Sequence, residues 1–412
     1  DGSTLLTTEE VLDGGDATYS GTPTKPSTAQ YTYSFDGWSA TIGGPVWTDA
    51  KKRVTTDRAL YAHFAATVRT YNVYFYNGST LLQTKTGIPY GGSATYTGET
   101  PVDPSGAGMP FKGFDPDGTN ITGNTSCYAQ FKPLLELKVH PNAFSSDGIV
   151  FVHDRFVCGS FKYSTDGLTW SQGTATGSYT ATTKWLSSGY ANGTYFILSN
   201  DQRTYAISTD GITWETDRFP TSLIGSSGSP FSCSGNDKFV VVSGTGSDPK
   251  FAYSTDGVNW TSCTVPTTST TTAYRGVAYN NGKFVALNGT DIVTSTDGIT
   301  WTLSSKTTSN YYIMPFKDGF FGDAYNSCGY SADGEKWDSL SMGSGHRFAV
   351  GNYVMTYHSI SGKYWVYDGS SVKTYTNSDG NISAKNGAYG QGKYIFVGSN
   401  SPYMLYAEES ED

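Results

Sequence analysis

The chain reads as a mainly β protein: a seven-bladed β-propeller, with six blades as the alternative, preceded by two copies of a smaller β module. Three observations predict this. A turn sequence closed by tryptophan recurs at a period near forty, and a different set of segments recurs at a period near seventy. Gly, Ser, Thr, Asn and Tyr are abundant while charged residues make up only 15% of the 412. That is the composition of a turn-dense all-β chain, not of a coiled coil or a disordered segment. Its length leaves room for two to four domains at roughly 100–200 residues each.

The longer period comes first along the chain. DGSTLL at Asp1–Leu6 matches NGSTLL at Asn77–Leu82, and GGDATYSGTP at Gly14–Pro23 matches GGSATYTGETP at Gly91–Pro101. FDGW at Phe35–Trp38 matches FKGF at Phe111–Phe114, and LYAHF at Leu60–Phe64 matches CYAQF at Cys127–Phe131. The copies are assigned to residues 1–66 and 67–133. The second opens with an alternating strand, Tyr71–Tyr76, for which the first has no counterpart, because Asp1 already aligns with Asn77. The missing strand is therefore expected upstream of Asp1, with the chain a fragment, or an ordered part, of something longer. The segments YNVYFYNGSTLLQ, PYGGSATY and YAQF resemble the internalin-type B-repeat (Listeria–Bacteroides repeat). That resemblance implies small β-grasp-like modules strung along a surface protein.

The shorter period organises residues 134–412. It reads YSTDGLTW at Tyr163–Trp170, ISTDGITW at Ile207–Trp214, YSTDGVNW at Tyr253–Trp260, TSTDGITW at Thr294–Trp301 and, decayed, YSADGEKW at Tyr330–Trp337. The tryptophans are spaced by 44, 46, 41 and 36 residues. A period near forty carried by short β runs is that of a blade repeated around an axis. Blade 1 starts at Gly148 and blades 2 to 5 each close at such a turn. Blade 6, Arg347–Thr376, keeps the four-strand rhythm without the motif. Blade 7 has three strands, ending at SPYMLYAEES. The orphan strand LLELKVH, Leu134–His140, is predicted to supply its fourth and so remove both open edges of the ring.

The motif itself is local chemistry. An Asp carboxylate and Ser/Thr hydroxyls bond backbone N–H groups of a turn, and Gly supplies a positive φ. The tryptophan that follows starts the next strand and is expected to pack between blades. Burying ~150–250 Å² per ring is worth on the order of 4–6 kcal/mol. The motif resembles the Asp-box of sialidases and related propellers, one residue shorter than the usual form. In that family the box sits between a blade's third and fourth strands, on the face away from the ligand. The resemblance thus implies structural roles for Asp166, Trp170, Asp210, Trp214, Asp256, Trp260, Asp297, Trp301, Asp333 and Trp337.

The same resemblance puts a ligand at the opposite mouth, where inner strands start and second-to-third-strand loops gather. Counting back along the aligned blades gives Trp185, Arg203, Arg275, Tyr312, Arg347 and Lys385 as candidate ligand-binding residues. Tyr274, Tyr311, His346, the loop Asn200–Arg203, Asp323, Tyr325 and Asn326 fall nearby. Aromatic rings beside amides and a few charges suit carbohydrate, whose apolar faces stack while its hydroxyls need partners.

Catalysis is not expected. A sialidase needs an arginine triad, a Tyr–Glu pair, an acid Asp and an early R-I-P motif, and no R-I-P occurs. Of the glutamates, Glu215 and Glu335 sit at turn hairpins and Glu136 in the closing strand, so none is left for an inner strand to form a carboxylate pair. The histidines show no H-x-H or H-E-x-x-H spacing, and G-x-S-x-G and Walker motifs are missing. FDPDGTN, Phe114–Asn120, has a calcium-loop flavour without the downstream Glu, so a plain turn is expected, with no metal and no cofactor.

A net charge of −9 and pI near 5.0 argue against nucleic-acid binding, and no apolar run reaches the ~20 residues of a membrane helix. Five scattered cysteines, Cys127, Cys158, Cys233, Cys263 and Cys328, read as small buried hydrophobes and fit folding in a reducing compartment. The two resemblances together imply a non-enzymatic binding protein: a phage virion (tail or fibre-type) protein that attaches to a host cell-surface glycan or protein receptor and joins other virion segments upstream of residue 1. The alternatives are a bacterial surface adhesin, a structural or decoration protein of the virion and, last, a glycan-cleaving enzyme.

Overall fold

The computed structural model describes residues 4–106, 108–144, 146, 148–177, 185–199, 203–225, 230–324, 327–343, 345, 347–358, 363–376, 384, 386–398 and 404–408. The chain divides into two compact units, Asp1–Ser105 with Pro110–Lys132 and Gly106–Met109 with Pro133–Asp412.

In the first unit, the second module is a four-stranded sheet in the order Thr80–Pro89, Thr70–Asn77, Thr125–Phe131, Phe111–Asp115. Thr70–Asn77 lies in the middle, antiparallel to the first of these neighbours and parallel to the other. Its alternation buries Val73 and Phe75 against Ala94, Ile121 and Cys127, as a period of two dictates for a sheet with one covered face. The Asp of FDPDGTN forms a plain turn: Asp117 Oδ1 accepts the Thr119 N–H at 3.0 Å and its hydroxyl at 2.7 Å. Among the described residues the first module has one ladder, Tyr31–Ser39 with Tyr61–Val68, and an isolated bridge of Gly15 to Val54. Because that second strand runs past residue 66, the junction between modules moves to Arg69.

Among the described residues the second unit contains seven sheets. Their inner strands are Ile149–Val152, Trp185–Ala191, Phe231–Gly235, Gly276–Asn280, Tyr312–Phe316, Arg347–Val350 and Asn386–Gly390. Each packs on the next, and the last returns to the first. The result is a closed seven-bladed propeller. The last sheet runs Asn386–Gly390, Lys393–Val397, Met404–Glu408 and then Lys138–Val139, so its outer strand comes from the far end of the domain. Val139 pairs with Leu405 and Lys138 with Tyr406, and His140 N–H donates to Met404 O at 3.0 Å. Only two residues of Leu134–His140 are ladder-paired; Leu135, 1% exposed, instead packs under blades 6 and 7.

Blade 2 carries a feature absent from the sequence reading. Thr174–Gly177, on the way from blade 1, adds as a fifth strand parallel to Thr213–Arg218. A single parallel bridge, Thr264 with Thr300, does the same for blade 4. Both cover an outer edge that would otherwise be open to pairing.

The tryptophans hold blades together. Trp214 of blade 2 is fully buried among Val150, Val157 and Phe161 of blade 1, and Trp301 of blade 4 lies among Val240, Val242 and Phe251 of blade 3. Trp170, Trp260 and Trp337 repeat the arrangement half-buried, each against the preceding blade.

Candidate functional site at the mouth of the propeller

Antiparallel strands sort the connections to two faces. Hairpins joining first to second and third to fourth strands lie on one face; inner-strand starts and second-to-third loops lie on the other.

The first face is filled with satisfied backbone bonds. In the blade 1 turn, Asp166 Oδ1 accepts N–H from Leu168 at 2.8 Å and Thr169 at 2.7 Å, while Ser164 Oγ accepts N–H from Gly167 at 2.8 Å. Asp210, Asp256, Asp297 and Asp333 repeat this with Ile212 and Thr213, Val258 and Asn259, Ile299 and Thr300, and Glu335 and Lys336. Gly167 has φ +73°, and a Cβ there would stand 3.0 Å from Ile395 and 3.1 Å from Phe156, so the turn conformation favours glycine. Blade 6 keeps the device without the motif: Asp368 Oδ1 accepts N–H from Ser370 and Ser371 at 2.8 Å. The sequence signal was Asp-Gly-Ser-Ser between two alternating runs.

Neighbouring blades are tied on this face as well. Asn192 Nδ2 donates to Asp237 O at 3.0 Å and Thr255 O at 2.9 Å, and Asn236 Nδ2 donates to Thr296 O at 2.7 Å. Lys283 Nζ donates to Asp333 O at 2.9 Å and pairs with Glu335 at 2.6 Å. That Lys283 contact, with a Ser304 hydroxyl, holds the Glu335 carboxyl below its usual range. These groups are occupied in holding the ring.

The turn carboxylates carry a pH signature. Hydrogen bonds from Thr213 and Ile212 N–H hold Asp210 at about 2. At Asp166, burial pushes upward but the Thr169 and Leu168 amides outweigh it, again giving about 2. A depressed folded value means the stabilisation is present above the ordinary Asp value of about 4 and lost as pH falls towards about 2. At neutral pH, Asp256→Ala is expected to cost about 1–2 kcal/mol, as for other side chains capping backbone N–H groups. Urea titration at pH 7 and pH 3 checks it, and the difference between variant and parent should shrink at the lower pH.

On the mouth face, the predicted residues separate into three groups. Trp185 and Arg347 are corrections. The Trp185 ring is fully buried between blades 1 and 2, 5.1 Å from Phe161. Arg347 is 6% exposed, paired with Asp323 at 2.6 Å and donating to Ala324 O, Met342 O and Gly343 O. Both are at strand starts as expected, but their side chains turn into the seam between blades rather than out of the mouth. Tyr274, 1% exposed, does likewise, and burial pushes its phenol far above the ordinary value. Arg203 is half-buried and ties its loop to Gly225 O at 2.9 Å. Lys385, His346, Asn200–Gln202, Tyr325 and Asn326 lie outside the described residues.

The third group comes together. Arg275 is exposed, its guanidinium 5.7 Å over the Tyr311 ring. Tyr312, next in the chain, meets Phe231 edge-to-face at 5.9 Å. Phe231 starts the inner strand of blade 3 and Tyr312 that of blade 5, so the two rings meet over the start of blade 4. Gly276 permits this: a Cβ there would stand 2.7 Å from Ile313 N. The surrounding loops are tied down, since Asp291 Oδ2 accepts the Thr268 hydroxyl at 2.6 Å and Asn288 Nδ2 at 3.0 Å. Phe231 was missed in the sequence; its signal is that it aligns with Tyr312 at the first position of an inner strand. The cluster offers partly exposed ring faces and one guanidinium on a tied-down base, a surface for stacking and hydrogen bonding.

Among the described residues no group of three His, Cys, Asp or Glu side chains converges on a metal position. Of the described mouth-side carboxylates, Asp291 and Asp323 are engaged with neighbours and the exposed Asp248 pairs with Lys250 at 2.8 Å. All five cysteines are unpaired thiols; burial pushes Cys263 up to about 12, far from a reactive thiolate.

No family model matches the chain, and no curated protein matches it either. Solved structures resemble the propeller. Virginiamycin B lyase from Staphylococcus aureus matches with a TM-score of 0.50 at 10% identity, covering 67% of this chain and 99% of its own. YCF48 bound to D1 peptide matches with a TM-score of 0.47 at 15% identity, covering 68% and 96%. BamB from Moraxella catarrhalis matches with a TM-score of 0.39 at 9% identity, covering 64% and 83%. At these identities the likeness is one of fold.

Proposed function

We propose that the propeller is a non-enzymatic binding domain that recognises a cell-surface glycan or protein receptor through its mouth face. The observation that carries this reading is the exposed Arg275 over the half-buried Tyr311, beside the half-buried Tyr312 and Phe231. It lies on the face whose groups are not consumed by the turn network, where ring faces beside a cation can serve stacking and hydrogen bonding. The Asp-box resemblance supports the same face. A phage virion, as a tail or fibre-type protein, is the setting the reading favours. Five unpaired thiols are retained in a chain that assembles where the medium is reducing.

The test uses two substitutions at one exposed position. Arg275→Ala and Arg275→Glu are expected to weaken attachment to host cells, or to a hit on a glycan array, by at least about tenfold, since a hydrogen bond from a charged group to a ligand is worth roughly 1.5–3 kcal/mol. The melting temperature should stay unchanged because the side chain is exposed. Full binding by both variants would overturn the placement of the site. Release of sugar from any ligand found would overturn the non-enzymatic reading.

A further inference from the structure

The mouth cluster holds a charge that its own chain does not answer. Arg275 is exposed, and among the described residues no carboxylate pairs with it. Two other cations of this face are neutralised within the chain: Lys250 pairs with Asp248 at 2.8 Å and the buried Arg347 with Asp323 at 2.6 Å. Asp291 is turned to the Thr268 hydroxyl and the Asn288 amide instead.

The position of this guanidinium is built from several segments. Arg275 N–H donates to Leu287 O at 3.1 Å, which fixes its backbone beside the second strand of blade 4. The ring it overlies, Tyr311, is set against the backbone of Gly289, where a Cβ would stand 2.3 Å from Cε1. Tyr311 N–H donates to Asp323 O at 3.0 Å. A ring face attracts the cation without using up its N–H donors. Those donors form a planar fork that matches a carboxylate or phosphate through two parallel hydrogen bonds.

The rim leading into Arg275 is neutral and rich in hydroxyls. Thr267, Ser269 and Thr271 are exposed at alternate positions, while the backbone between them is pinned. Thr268 N–H donates to Gly246 O at 2.7 Å, and Ser247 N–H to Thr270 O at 2.8 Å. Such a rim suits the hydroxyls of a sugar, and the fork beside it suits an anion.

We infer, building on the mouth reading above, that the ligand is an acidic glycan. Arg275 holds its carboxylate or phosphate group, and its sugar rings lie against Tyr312 and Phe231. With a net charge of −9 on the chain, long-range attraction does not draw such a ligand in. Recognition comes from contact at the fork, where a charge-assisted bond is roughly twice as strong as a neutral one.

The probes are oligogalacturonate, its neutral methyl ester and poly(glycerol phosphate), each titrated into the full chain by calorimetry. At least one of the two anions is expected to bind about tenfold or more tightly than the ester, and the binding arm tells carboxylate from phosphate. Arg275→Ala should abolish that preference, and added salt should weaken it. Equal binding of acid, phosphate and ester overturns the inference, as does binding of neither anion at millimolar concentration. A preference that persists in Arg275→Ala overturns it too, by placing the anion elsewhere. If host-cell attachment nevertheless falls in Arg275→Ala, the mouth reading survives that failure. Full attachment by Arg275→Ala overturns both.

Discussion

Arg347→Ala is expected to destabilise the propeller by about 3–5 kcal/mol, the range for breaking a buried ion pair and leaving one charge unpaired. The pair is deep: the two side chains are 2% and 8% exposed at 2.6 Å. The guanidinium also carries the carbonyls of Ala324 at 3.1 Å and Gly343 at 3.0 Å, so it joins the first strand of blade 6 to the second strand of blade 5. Removing it takes the guanidinium away from the Asp323 carboxylate and from the carbonyls of Ala324, Met342 and Gly343. Arg347→Lys should recover only part, because an ammonium cannot span the same fork of acceptors. The double change Arg347→Met with Asp323→Leu should be much closer to the parent, since an ion pair of this kind roughly breaks even against apolar packing. Urea unfolding of the four proteins measures this. A loss below about 1 kcal/mol for Arg347→Ala would mean that Asp323 finds water on the mouth side.

Weakening the closing strand is expected to have a comparable effect, spread over the whole ring. Leu135 is 1% exposed among Tyr364, Tyr375 and Leu405, and Leu135→Ala should cost about 2–5 kcal/mol. A chain beginning at Pro141 should lose cooperative unfolding and aggregate where one beginning at Pro133 does not, because Met404–Glu408 then becomes an open edge. Closure also has a pH limit. His140 Nε2–H donates to Gly167 O at 2.8 Å, and its Nδ1 accepts the Asn142 N–H at 3.0 Å, so the ring is held neutral. Burial lowers its pKa, against the opposing pull of the Gly167 carbonyl and the Asp166 charge. The unfolded chain takes up its proton near pH 6.5, so this contribution is complete above that value and declines as the pH falls below it. Thermal unfolding at pH 7.5 and 5.5 should show the decline, and His140→Gln should remove that part of it.

Much of this was legible in the residues. The blade period, the turns at Asp166 to Asp333, the tryptophans after them and the orphan strand before blade 1 all rest on local patterns. A turn needs its own Asp, Ser and Gly, and a strand needs its own alternation, so neither depends on what packs against it. Blade 6 shows the limit of motif reading, for Asp368 caps its turn with only the Asp-Gly of the signature and neither the preceding Ser-Thr nor the following Trp. The fifth strand of blade 2 was not legible for the opposite reason: Thr174–Gly177 has no pattern of its own and pairs only because an edge is there.

The mouth divides along the same line. The sequence by itself determined which residues begin the inner strands, and Trp185, Arg275, Tyr312 and Arg347 are all at such positions. Which way each side chain turns was decided only by the neighbouring blade. Arg347 reads as an exposed cation until Asp323, 24 residues earlier in the chain, draws it into the seam. Trp185 reads as a stacking platform until Phe161 and Trp214 close over it. Arg275 stays outside because the ring beneath it, Tyr311, offers a face and no carboxylate. Strand position follows from local pattern along one chain segment, whereas exposure follows from contacts between segments distant in sequence, and only the closed ring brings those together.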